Sequence, residues 1–340
     1  MTDQPREVPQ IKPRHFPPPP PLVQKSPGLW RRTPPANIPP MMGLFGLGLG
    51  WRTLAAQPAM RPLEPIGEVI LGAAMILFAF SLVAWLSKPL RRPGVVWEDL
   101  AVLPGRAGLA AMVLCIALSA AAMVPYQPPI ALVLVILALA GLMTLGVLIG
   151  WALMTGPEEA RVVTPVFHLT FAGYILTPLS LIPLGFVGVS NGVLIVTIAA
   201  ASAIWATSLR QLIKRTPPAP LRPLLAIHLA PASLFTIVAA QLGETNVAMG
   251  FGILALAILL VLLASLRWLL ASGFSPLWGA LTFPLAACGT ASILGLGAVG
   301  LWIGAVLLLA ASALNPWVAT KVIKAWAKGQ LAQKTNAATA

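Results

Sequence analysis

Few residues in this chain are of the types that do chemistry. The 340 residues include three histidines, His15, His168 and His228, two cysteines, Cys115 and Cys288, and only nine carboxylates. No His, Asp, Glu and Ser fall together in a pattern that would build a hydrolytic or acid–base site, so an integral membrane enzyme is disfavoured. Three scattered histidines and two isolated cysteines make no metal site, and no cofactor is expected. Both cysteines lie in apolar runs, as small buried hydrophobes do.

The informative positions are of another kind. Gly279-Ala-Leu-Thr-Phe-Pro-Leu-Ala-Ala-Cys288 sets Phe283 beside Pro284 in the middle of an apolar run of otherwise small or aliphatic residues. Proline removes a backbone N–H and its ring crowds the carbonyl four residues back, so a helix bends there. That bend can turn Phe283 toward an axis lined by Gly279, Ala280, Ala286 and Ala287, as a hydrophobic plug. As a bland alternative, Phe283 is a core aromatic. Gly46 and Gly50 are one helical turn apart and either narrow a helix interface or line a lumen. Arg52 either attracts anions at an outer mouth or snorkels to headgroups. His168 and His228 fall near the same ends of two apolar segments. They are either pH-sensitive groups of an inner vestibule or hydrogen-bonded packing.

The elements holding these residues must be membrane helices. The chain is 58% hydrophobic and 9% charged, with a mean hydropathy of +0.88, whereas soluble domains carry roughly 25% charge. A span needs about 20 apolar residues. Ten segments qualify: 37–57, 66–87, 103–124, 129–153, 164–184, 190–209, 223–243, 246–270, 275–295 and 297–319. The expected fold is an all-α polytopic membrane protein. Its domains are a disordered proline-rich tail at 1–33, a ten-helix channel domain at 34–320 and a basic C-terminal tail at 321–340.

Charge sets the orientation. With ten spans, all of the 22 basic residues except Arg52 and Arg61 fall on one side. They sit in the N-terminal tail, in the even-numbered loops (Lys88, Arg91, Arg92 and Arg106; Arg161; Arg210, Lys214, Arg215 and Arg222), after span 8 (Arg267) and in the C-terminal tail. The positive-inside rule places both termini in the cytoplasm, in the cytoplasmic (inner) membrane. The net charge of +13 reflects this bias and not a nucleic-acid partner. No signal peptide is visible, and Pro17 to Pro21 suit an extended tail or a polyproline ligand.

The outer connections are short, so the spans pair as five hairpins. Proline concentrates in the odd spans, with Pro178, Pro231 and Pro284 as the expected kinks. Carbonyls freed by proline are costly in lipid and need protein or a water-filled cavity beside them. The odd helices therefore belong inside and the even ones in an outer ring facing lipid. No Asp or Glu lies at depth in an odd span. This argues against a coupled carrier with an ionisable relay and against cation conduction.

Several pieces in order resemble the tellurite-resistance/dicarboxylate transporter family, which includes the slow anion channels of plant guard cells. They are Gly43-Leu-Phe-Gly46 through Trp51, Thr164-Pro-Val-Phe-His168, Leu229-Ala-Pro-Ala232, Leu281-Thr-Phe-Pro-Leu-Ala286 and Lys328-Gly-Gln330. The resemblance implies a homotrimer with a five-helix pore in each protomer. It implies passive conduction of small anions, closed by the phenylalanine of span 9, here Phe283. The alternative it leaves is a secondary carrier exporting dicarboxylate, sulfite or tellurite oxyanions. This chain departs from the family pattern at Gly48 and Thr170, where prolines are usual, so the local kinks there are expected to differ.

Overall fold

The computed structural model describes residues 28–155 and 162–340. The expected tail up to residue 27, and Arg161, lie outside the described residues. Helices run in order α1 Pro39–Ala55, α2 Glu64–Leu86, α3 Val95–Ala101, α4 Leu103–Met123, α5 Pro128–Thr155, α6 Pro178–Leu181, α7 Val187–Lys214, α8 Leu229–Gln241, α9 Thr245–Ala264, α10 Leu266–Leu269, α11 Gly279–Gly295, α12 Gly297–Ala327 and α13 Gln330–Lys334. No strand occurs among the described residues. Among the described residues, eight helical stretches are long and apolar enough to cross a membrane. The α1 helix has 17 residues and reaches about 26 Å at 1.5 Å per residue. The broken segment before α7 takes the place of the remaining crossing.

Burial separates two rings. The apolar stretches of α4, α8 and α11, with their lead-in turns, are 83, 83 and 67% buried, while those of α2, α5, α7, α9 and α12 are only 22–33% buried. The α1 helix also belongs inside, with Phe45 fully buried and Met41 and Leu47 nearly so. The inner elements touch around a closed ring: α1 meets α4 and α11, α11 meets α8, and α8 meets the Gly173–Leu176 turn, which meets α4. Each inner element also packs on the outer helix that follows it. The outer helices are Leu/Ile/Val-rich and expose Val69, Ile76, Val147, Val196 and Val261, as lipid-facing walls do.

Three expectations need correction. The fifth crossing is not one kinked helix. A π-helical turn at His168–Ala172 passes into a 3₁₀ turn at Gly173–Leu176, and α6 starts at Pro178. Pro178 sits where a helix begins, and its missing N–H costs nothing there. Similarly, Pro231 is the third residue of α8, directly after the 3₁₀ stretch Ala219–His228, so it marks a change of helix type and not a bend within one helix. Only Pro284 lies well inside an inner helix.

The third correction concerns the two ends. Leu29–Arg32 form a 3₁₀ turn, and Thr33 is fully buried, so order begins before residue 34. At the other end, α12 runs on to Ala327 and Leu331 is fully buried. The Ala340 N–H donates to the Arg31 carbonyl at 2.8 Å, and the Ala338 N–H to the Asp99 carboxylate at 2.9 Å. Asp99 also pairs with Lys88 at 2.9 Å, both side chains being fully buried. Burial pulls the Lys88 ammonium below the usual lysine range, and Asp99 opposes that pull. The C-terminal stretch is thus clasped to the body through a buried ion pair.

Candidate functional site

Two cavities lie along the axis of the inner ring, one toward each end. The first, of about 40 Å³, is bounded by Pro39 and Met42 of α1, Pro104 and Ala107 of α4, Leu224 and Ile227, and Gly279, Ala280, Phe283 and Pro284 of α11. This end carries most of the basic residues. The second, of about 240 Å³, is bounded by Gly46, Leu49 and Arg52 of α1, Leu118 and Ala121 of α4, Leu179, Leu234 and Gln241, and Phe283, Ala287 and Thr290. All five inner elements contribute to each. Among the described residues, Phe283 is the one that lines both. A third space of about 20 Å³ opens beside the same ring, between His168, Leu169, Ile227 and Pro231.

The position of Phe283 follows from its neighbours. Pro284 cannot donate to the Ala280 carbonyl, and Ala280 borders the first cavity, the setting that a freed carbonyl requires. The Thr282 hydroxyl donates to the Gly279 carbonyl at 2.7 Å and packs on Gly43 so closely that a methyl there would collide with it. One turn on, a Cβ built on Gly46 would lie 2.8 Å from Cδ2 and 3.1 Å from Cε2 of Phe283. The two glycines form a notch in α1 that seats the threonine and the ring. Phe283 is 5% exposed.

The expected lining residues divide. Gly46 and Ala287 border the second cavity and Ala280 the first. Gly50 does not. A Cβ there would lie 2.5 Å from Leu308 of α12 and 2.9 Å from the Thr290 hydroxyl, so Gly50 permits a helix contact and faces no lumen.

Arg52 borders the second cavity but carries no free charge. Its Nε and Nη2 donate to the two carboxylate oxygens of Glu68 at 2.7 and 2.8 Å. Its remaining donors reach the Ala121 and Ala122 carbonyls at 3.3–3.4 Å, and the Tyr126 hydroxyl donates to Glu68 at 2.7 Å. The hydrogen bond to Glu68 raises the Tyr126 phenol above its ordinary pKa. The side chain read either as an anion attractor at the mouth or as a snorkelling cation is one half of a bidentate pair that ties α1 to α2 and to the end of α4. Glu68 lies near the start of α2.

His168 and His228 do meet. His168 Nε2 and His228 Nδ1 share a hydrogen bond of 2.9 Å, and His228 Nε2 shares one of 2.8 Å with the Ser208 hydroxyl. The His168 Nδ1 atom is buried without a partner. The π-helical turn places His168 at the side space near Phe283. Such turns are frequent at functional sites. Ser208, on α7, had no sequence signal. No group of three or more His, Cys, Asp or Glu among the described residues could hold a metal.

Two apolar spaces thus meet at one phenyl ring. The walls are apolar apart from the paired Arg52 and a few hydroxyl, amide and imidazole groups, so nothing along the axis would hold an ion tightly. No curated protein matches the chain. Residues 32–323 match the family model described as voltage-dependent anion channel, and the chain belongs to that family.

Proposed function

We propose that the chain passes small anions passively through a pore within each protomer, and that Phe283 is the gate. The observation that carries this reading is that Phe283 alone borders both axial cavities. A phenyl ring between two open spaces blocks ions by its bulk and by excluding water. Both cavities are built from one chain, which favours a pore in every protomer of the homotrimer that the family resemblance implies. The basic residues at one end favour cytoplasmic termini in the cytoplasmic (inner) membrane.

A carrier exporting dicarboxylate, sulfite or tellurite oxyanions is less well supported. Proton coupling needs an ionisable relay at depth, and Glu68, the carboxylate beside Arg52, lines neither axial cavity and is held by Arg52 and Tyr126. The test is chloride flux into proteoliposomes with and without a pH gradient. Downhill flux that ignores the pH gradient supports the channel. Strict dependence on it, with uphill movement of a divalent anion, would replace the channel with the carrier.

A further inference from the structure

A larger cavity, of about 600 Å³, lies off the axis at the basic end. It is formed by Arg106 of α4, Thr164 and Pro165, Ser208, Gln211 and Lys214 of α7, and Arg215 with Leu221 just beyond. Its position between an inner helix and an outer one opens it toward the lipid side, where Leu212 and Leu221 are exposed.

Arg106 is the unusual feature. Its side chain is nine-tenths buried, the whole residue being 6% exposed. Its Nε donates to the Leu100 carbonyl at 3.1 Å, and its two terminal nitrogens have no protein partner among the described residues. None of the described ion pairs includes it, and no carboxylate among the described residues lines the cavity. A buried cation without a counter-charge is costly, and a guanidinium presents a fork of donors that fits two oxygens of one anion. The Thr164 hydroxyl is also buried there without a partner. Lys214 and Arg215, both exposed, add two charges at the rim. Leu103, Val163, Leu224 and Leu225 make the deeper wall apolar.

An anion that brings its own apolar tail satisfies all of these features. We infer that the cavity binds the phosphate of an anionic membrane lipid, with Arg106 as the buried ligand, Lys214 and Arg215 as the rim and an acyl chain against the leucines. Basic pockets between membrane helices at the headgroup level take such lipids. The site is separate from the conduction path, but Leu224 forms a wall of both this cavity and the first axial one. A bound lipid would therefore brace one side of the pore entrance.

The test is lipid retention by the full chain, extracted from vesicles of phosphatidylglycerol and phosphatidylcholine in equal amounts and counted per protomer by native mass spectrometry. Wild type should retain phosphatidylglycerol in preference. Arg106→Gln should weaken that retention at least ~10-fold, since removing one partner of a buried charge pair has effects of this size. The double variant Lys214→Gln/Arg215→Gln tests the exposed rim without disturbing the interior and should weaken it several-fold. Equal retention of the two lipids, or retention unchanged in both variants, would overturn the assignment. Displacement of the lipid by millimolar inorganic phosphate would overturn the acyl-chain contribution and leave a soluble-anion site.

Discussion

Consider Gly46→Ala. The new Cβ would stand 2.8 Å from Cδ2 and 3.1 Å from Cε2 of Phe283, and 3.6 Å from the Ala286 Cβ. A ring carbon cannot approach that closely, so the ring must leave its notch or α1 must shift. Overpacking of this kind costs ~1–3 kcal/mol. Alanine in a helix interior recovers ~1 kcal/mol over glycine, so the net change in the wild-type background is a loss of up to ~2 kcal/mol. In a Phe283→Ala background the obstruction is gone and only the helix gain remains, so the same substitution should stabilise by up to ~1 kcal/mol. The coupling between the two positions is thus ~1–3 kcal/mol, within the range for residues in contact. It is read from denaturation midpoints of the four proteins in one detergent. Gly46→Ala should also raise chloride leak in liposomes, because a displaced ring closes less well. Additive effects within 0.5 kcal/mol, with leak unchanged, would refute the idea that α1 seats the ring.

Two further outcomes follow from the same geometry. Arg52→Gln removes the cation that borders the second cavity and leaves the Glu68 carboxylate behind it held only by the Tyr126 hydroxyl. Anion flux should fall, more at low salt than at 0.15 M where screening acts over ~8 Å, and Arg52→Gln/Glu68→Gln should recover it. Equal losses in the single and double variants would mean that the pair acts only as a brace. For topology, a cysteine at Ala219 should react with an impermeant reagent only from the cytoplasm and one at Asn246 only from outside. Reaction of both from one side would remove the ten-crossing arrangement.

How far the sequence was readable varies with the range of the force involved. Apolar runs of about 20 residues report burial in lipid directly, so the outer helices were visible as such, and the proline distribution separated the inner ones. The fifth crossing misled because apolar length does not distinguish one helix from a π turn, a 3₁₀ turn and a short helix. Pro165, Gly173 and Pro178 were the signals, and Thr170 lies within the π turn. Gly46 and Gly50 were indistinguishable as i, i+4 neighbours, since only the partner helix decides that one meets Phe283 and the other Leu308. His168 and His228 are 60 residues apart, and their shared hydrogen bond depends on the register of two inner elements that no local pattern reports. The Arg52–Glu68 pair spans 16 residues and could have been proposed, because a hairpin that joins α1 to α2 brings the end of one helix beside the start of the next.

The central claim is that one ring separates the two axial cavities, and the most direct measurement is ionic current through wild type and Phe283→Ala at matched surface expression. On this proposal, removing the ring would join spaces of about 40 and 240 Å³. The account predicts a nearly silent wild type and a large, anion-selective leak in the variant, whose cavity costs ~3–5 kcal/mol without unfolding it. Equal currents in the two proteins, or a variant that passes sodium as readily as chloride, would contradict it.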